Sequence, residues 1–294
     1  MVEVWAVQMG KAYLIFSHGP IAWDSRSFTL AAPNQHRILV NTAPMRISDI
    51  KRAARFATDC VVGDICVLCQ LPLSPYRWHD PLALNSHMCP YCRTAVALNP
   101  NSCQHCVRPL PKGQRICRRC ITAPLVDMAL APVLRQHCGA YLVHQLKFHR
   151  GEREASALAS FLLTAVHQRY PNTNALPDLL IPVPIAPWTQ LRRGYNPSDW
   201  LARALQQQLK VAVANDLLTR KGGPSQRSLT RQQRLRLATN TFTLKSKVAP
   251  RVLDLRHVAI IDDVLTTGAT VAVLAGTLRR AGAARVDIWC ATRA

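Results

Sequence analysis

The stretch from His257 to Thr270 restricts the possible folds more than any other part of the chain. Four apolar residues, Val258 to Ile261, lead into Asp262 and Asp263, and Thr266, Thr267, Gly268 and Thr270 follow. An unbroken apolar run of this length, closed by polar residues, predicts a strand buried on both faces, as in a parallel sheet. Residues Ala269 to Gly282 then predict a helix, with Arg279 and Arg280 at its negative pole and Gly282 suited to a left-handed cap. A strand–turn–helix unit brings free backbone N–H groups and the positive helix pole together, which favours phosphate. Thr266, Thr267 and Thr270 add hydroxyls, and Gly268 lets a ligand approach the backbone. Asp262 and Asp263 fall at the carboxyl end of the strand, where ligands of open α/β sheets bind. Carboxylates beside a phosphate cradle suit sugar hydroxyls or a magnesium ion.

A second constraint comes from eight cysteines in four Cys-x-x-Cys pairs: Cys66/Cys69, Cys89/Cys92, Cys103/Cys106 and Cys117/Cys120. Each pair can aim two thiolates at one ion, and two pairs close a tetrahedral zinc site. Two structural Zn²⁺ ions are therefore expected. Sequential pairing groups the first four and the last four cysteines; an interleaved pairing satisfies the spacing equally. His79, His87 and His105 are spare candidate ligands or simply exposed histidines. The segment is too short and too poor in apolar residues to fold well without metal. Arg115, Arg118 and Arg119 within it suit either a nucleic acid or a solvated face. Cys60, Cys138 and Cys290 stand alone and read as packing residues.

The 294 residues carry 37 Lys and Arg against 16 Asp and Glu, a net charge of +21 that argues for an anionic partner. No apolar run approaches the roughly 18 residues of a membrane span. No secretion signal is evident at the start, so a cytoplasmic location is expected. Aromatic residues make up 6% of the chain, too few to predict a stacking platform for single strands.

Three segments follow. Residues 1–60 are an unassigned extension. Val4 to Phe16 predicts one or two strands and Met45 to Thr58 has helical spacing; the biological start is expected at Met45 or nearer Val61. Residues 61–124 are the double zinc ribbon. Residues 125–294 form the α/β domain, with helices at Gly139–Phe148, Glu152–Arg169 and Ser198–Leu209 and a buried strand within Asp178–Pro184. A loop holding Arg192, Arg193, Gly194, Tyr195 and Asn196 is expected at the same sheet edge as Asp262. Its arginines suit pyrophosphate contact or a plain basic turn. Residues 221–240, with Gly222, Gly223 and several arginines, suit a closing loop or a nucleic-acid backbone. Arg285 to Cys290 predicts the last strand.

The run ending in Asp262-Asp263, followed by Thr266-Thr267-Gly268-Ala269-Thr270, resembles the PRPP-binding motif of type I phosphoribosyltransferases. That resemblance implies a phosphoribosyltransferase-like parallel sheet flanked by helices. Asp262 and Asp263 would take the ribose hydroxyls, Leu265 to Thr270 would wrap the 5′-phosphate, and Mg²⁺ would accompany PRPP. Further features narrow the resemblance: Ile181-Pro-Val-Pro184, Arg193-Gly-Tyr-Asn196, Leu146-Lys147-Phe148, Gln226-Arg-Ser-Leu229, Arg234, Phe242 and the preceding ribbon. Together, over residues 64–294, they resemble the ComF/GntX family of phosphoribosyltransferase-like competence and DNA-utilisation proteins. Lys147, Arg192 and Arg193 complete the candidate PRPP-binding set, and Asp262, Asp263 and Arg193 are the catalytic candidates. Pro197 stands where the family usually has Gln, and Leu237 where it usually has Asn. The resemblance implies a cytoplasmic protein for processing or using imported DNA. Its expected partners are PRPP or a related sugar phosphate, and single-stranded DNA or DNA-uptake and recombination proteins. An active phosphoribosyltransferase acting on an unidentified base is the alternative reading. A PRPP-sensing regulator is a weaker one, since no helix-turn-helix pattern supports it.

Overall fold

The computed structural model describes residues 5–9, 12–16, 65–73, 87–220, 241–245 and 253–294. Cys60, His79, the Met45–Thr58 segment and residues 221–240 lie outside these. The chain divides into two units, Met1–Gly63 and Asp64–Ala294. In the first, β1 (Trp5–Met9) and β2 (Ala12–Phe16) pair as an antiparallel hairpin, with Trp5 opposite Phe16.

The second unit begins with the cysteine segment, which holds α1 (Pro90–Thr94) and α2 (Arg118–Thr122). There follow β3 (Met128–Leu130), β4 (Val133–Leu134), α3 (His137–Phe148), α4 (Glu152–Arg169), β5 (Leu179–Pro182), α5 (Pro187–Arg193) and α6 (Pro197–Leu209). The chain continues through β6 (Ala212–Val213), β7 (Leu218–Arg220), β8 (Phe242–Leu244), β9 (His257–Leu265), α7 (Ala269–Arg280) and β10 (Arg285–Arg293). The main sheet is parallel throughout, in the order β3-β10-β9-β5-β6, with β4 continuing beside β10. Helices cover both faces, which gives the phosphoribosyltransferase-like α/β architecture. β7 and β8 form a separate antiparallel pair.

The apolar runs explain why both faces are covered. Along β9, Ala259 and Ile261 pack with α3, α4 and α6, whereas Val258 and Ile260 pack with α7. Along β10, Trp289 and Ala291 join the first cluster, and Val286, Ile288 and Cys290 join the second. Side chains alternate between faces with period two, so a run apolar at every position must be buried twice.

Helix ends follow local chemistry. α7 closes with Gly282 at φ 101°; its N–H reaches the Arg279 carbonyl at 3.0 Å and the Ala283 N–H reaches Leu278 at 3.1 Å. This is the doubly bonded left-handed cap that a glycine there permits. Where a loop was expected after β5, the chain makes α5. Pro187 stands at its first turn and Gly194 ends it at φ 79°. Proline preset for helical φ and a left-handed glycine together suffice for two turns.

The cysteine segment is tied to this sheet. The Asn99 amide donates to the Val107 and Ala131 carbonyls at 3.0 and 3.2 Å, and the Ala129 N–H donates to Gln104 O at 2.6 Å. Arg93 donates to Ser160 Oγ at 2.8 Å and lies 4.4 Å over the Phe161 ring on α4. Among the described residues no helix is long and apolar enough to cross a membrane.

Candidate functional site

β9 outruns its neighbour on one side. The register with β5 ends at Pro182 opposite Ile261, while β10 accompanies β9 to Leu265. Asp262 and Asp263 therefore lie just past the end of β5, inside the strand rather than at its last residue. The register with β10 keeps one offset from Ile261 to Leu265, and Ile261 and Val264, three apart, both pack with the same cluster. Asp262 Oδ1 accepts from the Asp263 N–H at 2.9 Å, so the side chain folds back onto the next peptide. The Asp263 carbonyl is held by Thr292 Oγ1 at 3.0 Å.

The two carboxylates have different surroundings. Asp263 is buried and pairs with Lys147 Nζ at 2.9 Å. Asp262 is half-buried and accepts from Ser198 Oγ at 3.3 Å, in the first turn of α6. Protein atoms crowd Asp262 closely even though part of it reaches solvent. Burial first, and then the Asp263 charge, push its carboxyl up to about 7, against the pull of the Asp263 N–H, Lys147 and Ser198.

Lys147 is placed by a turn that the sequence motif builds. Tyr195 Oη donates to the Leu146 carbonyl at 3.0 Å, accepts from the Arg150 N–H at 3.2 Å, and its ring stacks on Trp200 at 4.3 Å. Asn196 caps α6 through the Ser198 N–H and donates to the Val183 carbonyl at 3.0 Å. Gly194 supplies the left-handed end of α5. The Arg-Gly-Tyr-Asn residues thus lock the carboxyl end of α3, where Lys147 sits, against the start of α6, where Ser198 sits. Pro197 occupies the first position of α6, where a missing N–H is tolerated.

Arg193 lies 5.5 Å over the Phe148 ring and 6.0 Å over Tyr195, beside this turn. Arg192 is exposed at the end of α5, and no hydrogen bond or ion pair joins it to the carboxylates among the described residues. Leu265 is buried, and Thr266, Thr267, Ala269 and Thr270 are exposed around the turn into α7. Thr267 Oγ1 accepts from the Ala269 N–H at 3.4 Å. Gly268 differs from expectation. A Cβ there would come 2.7 Å from Leu125 Cδ2, so its bare side faces a packed leucine, and its φ of 81° also demands glycine. Three contributors were not foreseen: Ser198, Thr292 and Arg293. Arg293 Nη1 donates to the Leu265 carbonyl at 2.8 Å, and its buried Nε has no hydrogen-bond partner among the described residues. Only tertiary placement brings them to β9, and no local pattern marks them.

The cysteines form two groups in sequential pairing, Cys66/Cys69/Cys89/Cys92 and Cys103/Cys106/Cys117/Cys120, each with its sulfurs within 4.8 Å of one another. Cys69 and Cys89 Sγ lie 3.8 Å apart, and Cys106 and Cys117 Sγ 3.7 Å apart. Tetrahedral Zn²⁺ with Zn–S bonds of about 2.3 Å requires sulfurs about 3.8 Å apart, so both groups fit that ion. The N–H groups of Cys89, Cys92 and Cys117 point at Sγ atoms at 3.3–3.4 Å, as suits thiolates. His105 is engaged elsewhere, 2.9 Å from the Val126 carbonyl.

No family model matches the chain. It is 36% identical over 240 residues to DNA utilization protein YhgH of Escherichia coli O157:H7, covering 79% of this chain and 98% of that protein. The Salmonella typhi protein of the same name is 35% identical over the same span. Competence protein F of Haemophilus influenzae is 33% identical over 155 residues, covering 52% of this chain and 67% of that protein.

Proposed function

The chain belongs to the ComF/GntX family, that of DNA utilization protein YhgH, and from that premise we propose that it serves the processing or use of imported DNA in the cytoplasm. The observation that carries this reading is likeness along nearly the whole of relatives named for DNA utilization, joined by likeness to one named for competence. Charge supports it. Between Asp80 and Asp127 the chain has no carboxylate, while Arg108, Lys112, Arg115, Arg118 and Arg119 are all exposed there.

The finer part of the proposal is that the β9 site binds Mg²⁺-PRPP or a related sugar phosphate. Asp262 and Asp263 would accept from ribose hydroxyls. Leu265 to Thr270 would cradle the 5′-phosphate, and Lys147, Arg192 and Arg193 would face the pyrophosphate. Support comes from the paired carboxylates at an open strand end, with a threonine-rich turn and a helix start directly after them. A calorimetric titration with Mg²⁺-PRPP tests this: wild type should bind and the Asp262→Ala, Asp263→Ala double variant should not. Absence of heat from wild type at millimolar PRPP would remove the ligand from the reading.

One observation favours catalysis as well. Burial and the neighbouring Asp263 raise the Asp262 carboxyl towards neutrality, and a proton-handling carboxylate beside the proposed sugar phosphate suits catalysis as well as binding. Pyrophosphate release assayed across the common bases decides between an enzyme and a binding module.

A further inference from the structure

Helix α3 buries Gly139, Leu142, Val143 and Leu146. On its opposite side His137, Tyr141, His144 and Phe148 fall at i, i+4, i+7 and i+11, and all four are exposed. That spacing sets four rings in one row, about 4.5–6 Å apart along the helix axis. The row is closed at its carboxyl end: the His144 and Phe148 rings are 5.0 Å apart, the His149 ring is 5.3 Å from His144, and Arg193 lies over Phe148. Tyr141 is 41% and Phe148 58% exposed, unusual for large rings facing water.

The setting of the row is cationic. From Met128 to Gly151 there is no carboxylate, while Arg135, Lys147 and Arg150 belong to the segment and Arg193 stacks at its end. Flat rings rimmed by guanidinium groups match an anionic polymer that offers aromatic faces. A duplex hides those faces at a rise of about 3.4 Å, so rings spaced more widely can be met only by an unpaired, extended strand. The aromatic scarcity of the whole chain is thus offset by concentrating rings on one helix. The row also has a direction. It ends at Phe148, next to Lys147, whose ammonium touches Asp263.

We propose that the exposed face of α3 is a stacking track for single-stranded nucleic acid that leads to the mouth of the β9 site. This rests on the reading of the chain as a DNA-handling protein, and the test separates the two. The zinc-loaded full chain would be titrated into a labelled oligo-dT of about 20 nucleotides and into a duplex of equal length, followed by anisotropy. The Tyr141→Ala, Phe148→Ala double variant should weaken single-strand binding about tenfold or more, and Phe148→Trp should retain it. Arg118→Gln with Arg119→Gln serves as the comparison on the second cysteine group.

If wild type binds but only the Arg118/Arg119 variant loses affinity, the strand runs over the cysteine segment; the track falls and the DNA reading stands. If wild type binds duplex as well as single strand, without sensitivity to the ring variant, the track falls likewise. If the ring variant changes only the sedimentation of the protein, the row is a protein interface and the proposal is overturned. If wild type binds neither oligonucleotide, the DNA-contact reading itself falls, and the track with it.

Discussion

Replacing Asp262 by Asn keeps the shape of the side chain and removes its charge, which makes it a direct probe of the β9 site. In the folded chain the carboxyl is raised from 3.8 to about 7 by burial and by Asp263. Between those values the folded state holds a proton that the unfolded state has released, so acid favours folding. The stability contributed by protonated Asp262 is lost as pH rises from about 4 through about 7, and above that the ionised group is a constant penalty. A change of that size corresponds to roughly 4 kcal/mol. Asp262 is only half-buried, and solvent screening reduces this to about 1–2 kcal/mol. Asp262→Asn should therefore stabilise the zinc-loaded chain by about 1–2 kcal/mol near pH 8, a gain that shrinks towards zero by about pH 4. Urea unfolding followed by tryptophan fluorescence reads this directly, provided the m-values agree. A variant less stable than wild type at the higher pH, or a difference that does not change with pH, would refute the reasoning. Ligand binding should show the reverse cost. Sugar hydroxyls donate to the ionised form, so PRPP affinity of wild type should rise with pH up to about 7 and then level.

Two further outcomes follow from the packing. Metal analysis should return two zinc ions per chain, and Cys66→Ser should lower this to one while leaving the second group occupied; a loss of both ions would mean the groups are not independent. Tyr170→Phe should destabilise the chain by about 1–3 kcal/mol in the same urea assay, because it strips Asp287 of a 2.6 Å donor and the Trp289 indole N–H of its acceptor at 3.2 Å. No measurable change would show that the network relaxes around the missing hydroxyl.

The β9 and α7 elements were legible because periodicity there is unambiguous: Val258–Ile261 is apolar at every position, and Arg279, Arg280 and Gly282 mark a helix end. α4 ran over the expected Glu152–Arg169 for the same reason. The zinc pairing was not legible, because Cys-x-x-Cys spacing is local and says nothing about which knuckles meet. α5 was missed because its seven residues carry no buried face, and only its two ends favour a helix. Gly268 suits the close approach of a ligand by sequence, whereas in the fold Leu125, 143 residues earlier, lies beside it. The α3 row leaves no sequence signal of its own, because the buried side of that helix sets its apolar periodicity and the exposed rings lie on the other side.

The strongest physical reason to place a ligand at β9 comes from a second buried carboxylate on the same sheet. Asp287, near the start of β10, is fully buried, yet Tyr170 Oη, His257 Nε2 and Arg285 Nε lie 2.6, 2.7 and 3.1 Å from its oxygens. This chain can therefore surround a buried aspartate with donors when stability is at stake. At the other end of β9 it does not. Among the described residues Asp262 has a like charge beside it, one hydroxyl donor at 3.3 Å and its own neighbour's N–H. An apolar residue would have filled that position at no electrostatic cost, as it does at Ile260 and Ile261 on the same strand. Asp263 has Lys147 as its partner, so it is Asp262 that is more sparsely supplied, and the hydroxyls of the proposed sugar ligand would add donors there.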